Sequence, residues 1–128
     1  MKAKFIDRLN IPVVAAPLFL ISGPQLVIEC CKNGIVGTFP ALNQRSTDGF
    51  ESWVVEIKTA LADFESSTGK KAAPFGVNLI VHQTNPRLQA DLAVCVKHEV
   101  PLIITSLGAV AELVNTVHGY GGLVFTTS

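Results

Sequence analysis

The sequence predicts an α/β fold in which parallel strands alternate with helices. Short apolar runs take turns along the chain with longer segments whose apolar residues recur at helical spacing. The apolar runs are continuous rather than alternating, which is typical of strands buried on both faces of a parallel sheet. Proline or glycine stands at several of the expected helix ends, where each residue type is favoured.

Composition indicates one folded domain that spans residues 1–128. The chain is 48% hydrophobic and 16% charged, which supplies enough apolar material for a core and argues against disorder. Ten basic and ten acidic side chains give a formal net charge of zero. No basic surface for nucleic acid or for an anionic membrane is therefore expected, and a small-molecule partner is favoured.

Targeting signals and cysteine motifs are both missing from the pattern. The N-terminal segment MKAKFIDRLN lacks the apolar centre of a signal peptide, and no window has 18 consecutive apolar residues. We therefore expect a cytoplasmic protein without a membrane span. Cys30, Cys31 and Cys95 have no Cys-x-x-Cys spacing, so we interpret them as small core residues rather than metal or redox sites.

The first expected elements are a strand at IPVVAAP (11–17), a helix at PQLVIECCKN (24–33) and a strand at GIVGTFP (34–40). Pro24 suits the first helical turn, and Gly34 suits the position after the helix. A long amphipathic helix follows, with Asp48 as its expected N-cap and a loop at Ser66-Ser67 near its end. Its apolar stripe consists of Phe50, Trp53, Val54, Ile57, Leu61 and Phe64.

The second half repeats this order. Strands are predicted at 74–82, 100–106 and 121–125. The helix between the first two has Asn85 as its expected N-cap and Pro86 in its first turn, and the next helix is expected to end before Gly119. The inward-facing residues expected on these two helices are Leu88, Leu92, Cys95, Val96, Val110, Leu113, Val114 and Val117.

Two architectures fit this order of elements. The length favours an open, doubly wound sheet, whereas the loops favour the first four to five units of a (β/α)8 barrel, whose chemistry lies in the loops after the strands. Those loops read APLFLISGP, FPALNQRSTD, NLIVHQTNP and TSLGA. They lack both the G-x-G-x-x-G and the G-x-x-x-x-G-K-[ST] patterns, so a nucleotide site of the Rossmann or P-loop kind is not expected.

Taken in order, these segments resemble the nitronate monooxygenase family, formerly called 2-nitropropane dioxygenases. The resemblance rests on VVAAPLFLISGPQLVIECCKNGIVGTFPALNQRS, PFGVNLIVHQTNPRLQADLAVCVKHEVPLIITSLGA and GGLVF, and it covers nearly all of residues 11–125. It implies a partial (β/α)8 TIM barrel with FMN at its carboxyl mouth and no metal. The implied reaction oxidises an alkyl nitronate with O2 to a carbonyl compound and nitrite.

The resemblance also implies the cofactor-binding residues. Ala16, Pro17 and Leu18 match the segment whose backbone lies against the flavin ring, and the apolar loop fixed by a proline suits that role. The other matching residues are Asn78, Thr105 and Ser106.

His82 is a candidate substrate contact at the same mouth, although a loop histidine facing water is the alternative. Asn78 in an apolar strand is expected to face the ligand, or else to bond a neighbouring loop, since an unpaired buried amide is costly. His98 and His118 are interpreted as helix-end residues.

In the family, the phosphate-binding segments and the catalytic base belong to the second half of the barrel, so the resemblance places the base beyond Ser128. We therefore interpret 1–128 as a truncated N-terminal half that binds FMN weakly or not at all, and that is of doubtful activity alone. An exposed barrel edge would favour self-association. The alternatives are a flavin-dependent enoyl reductase, which shares the barrel and the early AP loop, and a non-catalytic α/β fragment.

Overall fold

The computed structural model describes residues 23–82, 85–106 and 111–127. The predicted first strand at 11–17 lies outside these residues. The four α-helices of the described part are α1 (Pro24–Lys32), α2 (Thr47–Thr68), α3 (Leu88–Lys97) and α4 (Ala111–Gly119). Its four strands are β1 (Thr38–Pro40), β2 (Gly76–Ile80), β3 (Leu102–Ser106) and β4 (Leu123–Thr127), and a short 3-10 helix (Ala41–Asn43) follows β1.

The four strands form one parallel sheet in the order β1-β2-β3-β4. Each strand therefore pairs with the next strand along the chain, as in a (β/α)8 barrel. A doubly wound sheet reverses its strand order at a switch point and carries helices on both faces. Here the helices contact one another in sequence, α1 with α2, α2 with α3 and α3 with α4, so they cover a single face. The chain thus has an α/β fold of the partial-barrel type.

Side chains alternate between the two faces of the sheet. Phe39, Val77, Ile103 and Val124 form one row across the sheet and pack with the helices. The opposite face, called the inner face below, corresponds to the inside of a barrel. Its members in the described strands and just before β1 are Val36, Thr38, Pro40, Gly76, Asn78, Ile80, Leu102, Ile104, Ser106, Leu123 and Phe125.

The core between sheet and helices confirms the predicted stripe of α2. Phe50, Val54, Ile57 and Leu61 are all buried. The ring of Phe39 lies between α2 aromatics, with its centroid 5.8 Å from that of Phe50 and 5.7 Å from that of Trp53. Such tilted and edge-on pairs add to the stabilisation that burial alone provides. Trp53 and Phe64 are only partly buried at the edge of this core.

The start and the end of α2 differ from the prediction. Ser46, not Asp48, is the N-cap, and its hydroxyl accepts a hydrogen bond from the Gly49 amide at 3.0 Å. Asp48 lies in the first turn, where a carboxylate still suits the helix dipole. The helix continues through Ser66 and Ser67, so the predicted loop there is wrong. It ends at Gly69, whose left-handed φ of 71° is accessible to glycine without strain.

The helix α3 also begins later and faces the core differently. Asn85 does not cap it: the Asn85 side chain accepts from the Arg87 amide in a turn that precedes the helix, and Arg87 occupies the N-cap position. The fully buried residues of α3 are Asp91, Val94 and Cys95. Leu88 and Leu92 are partly buried against the core. Of the two helical stripes predicted here, Cys95 of α3 and Leu113 and Val117 of α4 are confirmed as buried, and Val110 lies outside the described residues.

A close approach between α1 and the sheet depends on Gly37. A Cβ built on this residue would lie 2.6 Å from the carbonyl oxygen of Val27 and 2.8 Å from its Cα. Both are backbone atoms and cannot rotate away. The chain therefore needs glycine here so that the helix can pack directly on the strand.

The remaining sequence expectations concern cysteines and membranes. Cys31 and Cys95 are buried, and Cys30 is partly exposed, so the interpretation as core residues holds for two of the three. The Cys31 thiol donates to the carbonyl of Pro74 at 3.6 Å. Within the residues described, no helix is both long and apolar enough to cross a membrane.

Candidate functional site

The candidate site lies on the inner face near the carboxyl ends of the strands. Pro40, Asn78, Ile104 and Phe125 form one row across the sheet there. The next inner-face residues toward the carboxyl end are Ile80 of β2 and Ser106 of β3, which pair with each other. The row is thus apolar except at Asn78. In parallel α/β folds, this end of the strands carries the chemistry.

Asn78 is almost buried, with 7% of its surface exposed. Its Nδ2 donates to the carbonyl oxygen of Ile104 at 3.0 Å and to the hydroxyl of Ser106 at 2.7 Å. Both hydrogens of the amide are therefore used within the sheet, which fixes the side-chain orientation. The atom with which Asn78 can meet a ligand is Oδ1, a hydrogen-bond acceptor.

Ser106 and Thr105 lie on opposite faces of β3 because successive side chains of a strand alternate. Ser106 shares the inner face with Asn78. Thr105 is fully buried on the helix side, where its hydroxyl donates to that of Thr126 at 3.1 Å. The structure therefore brings together Asn78 and Ser106 of the predicted cofactor-binding residues. Thr105 borders the same inner face through its backbone only.

Asn85 forms hydrogen bonds with the residues at the end of β2 and directly after it. The side chain of Asn85 donates from Nδ2 to the carbonyl oxygen of Ile80 at 2.9 Å, and its backbone N–H donates to the carbonyl oxygen of His82 at 2.9 Å. His82 itself is exposed at the carboxyl end of β2. Its position is compatible with the predicted substrate contact and does not test it. Ala16, Pro17 and Leu18 lie outside the described residues.

A buried ion pair next to this mouth was not predicted from the sequence. Arg87 donates from Nη1 to the carbonyl oxygen of Gln44 and from Nη2 to that of Ala41, at 3.3 Å. The same Nη2 lies 3.2 Å from Oδ1 and 3.1 Å from Oδ2 of Asp91. Thr47 donates to Asp91 Oδ1 at 2.8 Å. The Arg87–Asp91 pair thus joins the loop after β1, the first residue of α2 and the helix α3.

Burial makes this network sensitive to change. The Asp91 side chain is 1% exposed and that of Arg87 is 19% exposed. Arg87 Nε and Asp91 Oδ2 are buried in the described structure and make no hydrogen bond. The i, i+4 spacing of Arg and Asp was visible in the sequence and is typical of an ion pair on a helix surface. The burial of this ion pair depends on Thr47 and Ala41, which are more than forty residues away along the chain.

A second cluster of charges lies between the start of α2 and the end of α3. Glu51 Oε2 lies 2.9 Å from Lys97 Nζ and 2.8 Å from His98 Nε2. The Lys97 ammonium group, and next the His98 ring, hold the pKa of Glu51 below its ordinary value. His98 is therefore a contact between two helices rather than only a helix end. Across residues 23–82, 85–106 and 111–127, no three His, Cys, Asp or Glu side chains are placed to hold a metal ion.

No family model and no curated protein matches the chain. Solved structures do match. FabK from Thermotoga maritima superposes with a TM-score of 0.76 at 18% identity, covering 97% of this chain and 35% of that chain. Its M276A mutant gives a TM-score of 0.75 at 17% identity, covering 98% and 38%.

A third match is the enoyl reductase domain of MlnA, from the macrolactin biosynthesis cluster of Bacillus amyloliquefaciens. It superposes with a TM-score of 0.67 at 22% identity, covering 84% of this chain and 23% of that one. The chain thus spans between 23% and 38% of the length of each of these proteins. At such identities the likeness concerns the fold. Because the matched proteins are TIM-barrel enzymes, the chain has the fold of a partial (β/α)8 barrel.

Proposed function

We propose that this chain is the N-terminal half of an FMN-dependent oxidoreductase barrel. The observation that carries the proposal is the hydrogen bond from Asn78 Nδ2 to the Ser106 hydroxyl. It is 2.7 Å long and lies on the inner face at the carboxyl end of the sheet. Its neighbours in the row are apolar, and Asn78 is nearly buried. Ligand sites commonly combine an apolar lining with a few fixed polar groups in this way. The superposition on FabK supports the barrel fold on which this proposal rests.

The residues fit a flavin ring in chemical terms. The polar edge of an isoalloxazine carries one N–H donor among several acceptors, and its faces are apolar. Asn78 Oδ1 is an acceptor whose direction is set by the two bonds of its own amide group. Ile80, Ile104 and Phe125 provide apolar surface on the same face. We infer that this half of the barrel holds the ring, whereas the phosphate group is held by residues outside it.

Bound FMN would accept an electron pair from one substrate and transfer it to another. The chain's own contribution is positional: Asn78 orients the ring edge, Ser106 holds Asn78, and the apolar side chains around them exclude water. A dry site strengthens these hydrogen bonds because the local dielectric constant is low. A catalytic acid or base is not assigned to a residue of this chain.

Two reactions are compatible with this half-site. Oxidation of an alkyl nitronate by O2, releasing a carbonyl compound and nitrite, is the reaction implied by the sequence resemblance. Reduction of an enoyl thioester is the second candidate, and it is favoured by the likeness to the enoyl reductase domain of MlnA. The protein should be assayed for nitrite release from propyl-2-nitronate and for NADPH oxidation with crotonyl thioester. The reaction that proceeds selects between the two.

The ring-holding role can be tested on the 128-residue chain by titrating riboflavin and FMN and following the quenching of flavin fluorescence. We expect weak binding, with nearly equal affinity for both ligands because they differ only in the phosphate group. Asn78→Leu should weaken both by about tenfold, as expected when one buried hydrogen bond is lost. Asn115→Leu, at an exposed asparagine on α4, is the matched control and should bind as the wild type does.

Three results would contradict the proposal. The wild-type chain could bind neither ligand, or Asn78→Leu could bind both as well as the Asn115→Leu control. FMN could also bind much more tightly than riboflavin, which would mean that the phosphate site lies within this chain.

A further inference from the structure

We infer that Arg87 is a positioning residue that fixes the loop after β1 at the mouth of the proposed site. The loop in question comprises residues 41–46, between the end of β1 and the start of α2. This inference rests on the proposed function for its effect on ligand binding. Its effect on the loop can be measured without any ligand.

The loop lies beside the candidate site. It begins directly after Pro40, whose neighbour in the sheet is Asn78. The 3-10 helix at its start, Ala41–Asn43, contacts β2. The loop therefore borders the row that contains the Asn78–Ser106 pair, so a displacement of the loop changes the shape of the mouth.

Arg87 holds the loop through its backbone carbonyl groups. The guanidinium group bonds two loop carbonyls, those of Ala41 and Gln44, which are separated by one turn of the chain. Only a planar group with several donors in a fixed fork can bond both carbonyls and a carboxylate at the same time. The loop has a cap of its own at its far end, where Ser46 accepts from the Gly49 amide. Arg87 fixes the near end.

The ionic character of the Arg87–Asp91 pair serves its contacts with the loop. A buried ion pair is weak evidence for stability, since apolar groups of similar size often serve as well or better. Apolar groups could not bond the carbonyls of Ala41 and Gln44, however. Asp91 is buried and is oriented by Thr47, so it sets the direction in which the guanidinium group points. The network is thus built to place the loop rather than to maximise packing.

Trypsin provides a direct measurement because Arg45 is exposed within the loop. Cleavage after Arg45 should be followed by mass spectrometry in the wild type, in Arg87→Met and in the double variant Arg87→Met/Asp91→Leu. We expect both variants to be cleaved there about tenfold faster, as befits the loss of charge-assisted bonds to the loop. The double variant should regain the melting temperature that Arg87→Met loses, because no charge remains buried. Lys97→Met, which removes a cation from the exposed end of the same helix, should be cleaved after Arg45 at the same rate as the wild type.

Flavin titration separates this inference from the proposed function. If the wild-type chain binds riboflavin, the double variant should bind it about tenfold more weakly, although its melting temperature is unchanged. The visible absorption band of the bound flavin should also differ in shape between the wild type and the double variant. Wild-type chain that binds no flavin would overturn the proposed function alone. Cleavage at Arg45 that is equally slow in the double variant and in Lys97→Met would overturn the positioning role. Asp91→Asn, which preserves volume, takes the place of Arg87→Met if that variant does not fold.

Discussion

The amide of Asn78 donates to the hydroxyl of Ser106 across two neighbouring strands, at 2.7 Å. Both residues lie on the inner face, and their backbones are held in parallel register by the pairing of β2 with β3. The contact joins the one polar side chain of an otherwise apolar row to the end of the adjacent strand. It is therefore the feature of the sheet that most resembles a built ligand site.

Replacing Ser106 by alanine should test this contact. Asn78 would keep its bond to the carbonyl of Ile104 and lose its second acceptor. We expect the free energy of unfolding to fall by about 1 kcal/mol, the usual net value of such a bond. Urea unfolding measures this difference. Ser52→Ala, at an exposed position of α2, should change stability little. Equal stabilities for the two variants would contradict the importance of the contact.

A second prediction concerns the packing of α1 on the sheet. Gly37→Ala places a methyl group within 2.8 Å of Val27 backbone atoms, so the helix has to move away from the strand. We expect a loss of about 1–3 kcal/mol, as for overpacked cores. Gly119→Ala is the matched control because nothing lies within 4 Å of the new methyl group. Thermal unfolding of both variants checks the prediction. A Gly37→Ala protein as stable as Gly119→Ala would show that the helix can shift freely.

Much of the fold could be predicted because its signals are local. The stripe of α2 and the alternation of strands and helices follow from the spacing of apolar residues along the chain, whereas the order of the strands in the sheet was left open between two architectures and is given by the structure. The burial of Asp91 could not be predicted, since its partners are Arg87 and the distant Thr47. A carboxylate is ordinarily expected on the outer face of a helix, and only a tertiary contact reverses that.

The candidate site could be predicted in part for the same reason. Asn78 stands out as an amide within an apolar strand, and a polar side chain there needs partners. Ser106 and Thr105 are adjacent at a strand end, and the sequence does not indicate which of them faces inward. The parallel register decides it, because Ile80 pairs with Ser106 and Leu79 with Thr105. Asp48 was predicted as the N-cap of α2, but Ser46 occupies that position; residue type alone does not decide between them, since both types cap helices well.

A third prediction uses the lowered pKa of Glu51. Because the folded pKa lies below the unfolded value, this group stabilises the fold fully above about pH 4.3 and loses the effect as the pH falls through the folded pKa. Glu51→Gln should therefore be less stable than the wild type near pH 6, and the difference should be smaller near pH 3. Urea unfolding at both pH values measures it. Glu56→Gln, on an exposed turn of the same helix, is the control and should show no such pH dependence of the difference.

The fourth prediction concerns thiol reactivity. Burial raises the pKa of the Cys95 thiol far above its ordinary value, and the nearby Asp91 carboxylate adds to the shift. Since the thiolate is the reactive form, Cys95 should not react with a disulfide reagent at pH 8 in the folded protein. Cys31 is also buried, whereas Cys30 is partly exposed. We expect one thiol to react quickly and the other two only after denaturant is added, with Cys30 identified by mass spectrometry. Cys30→Ser should abolish the fast phase, and rapid reaction of all three thiols in native buffer would contradict the packing of α1 and α3 described above.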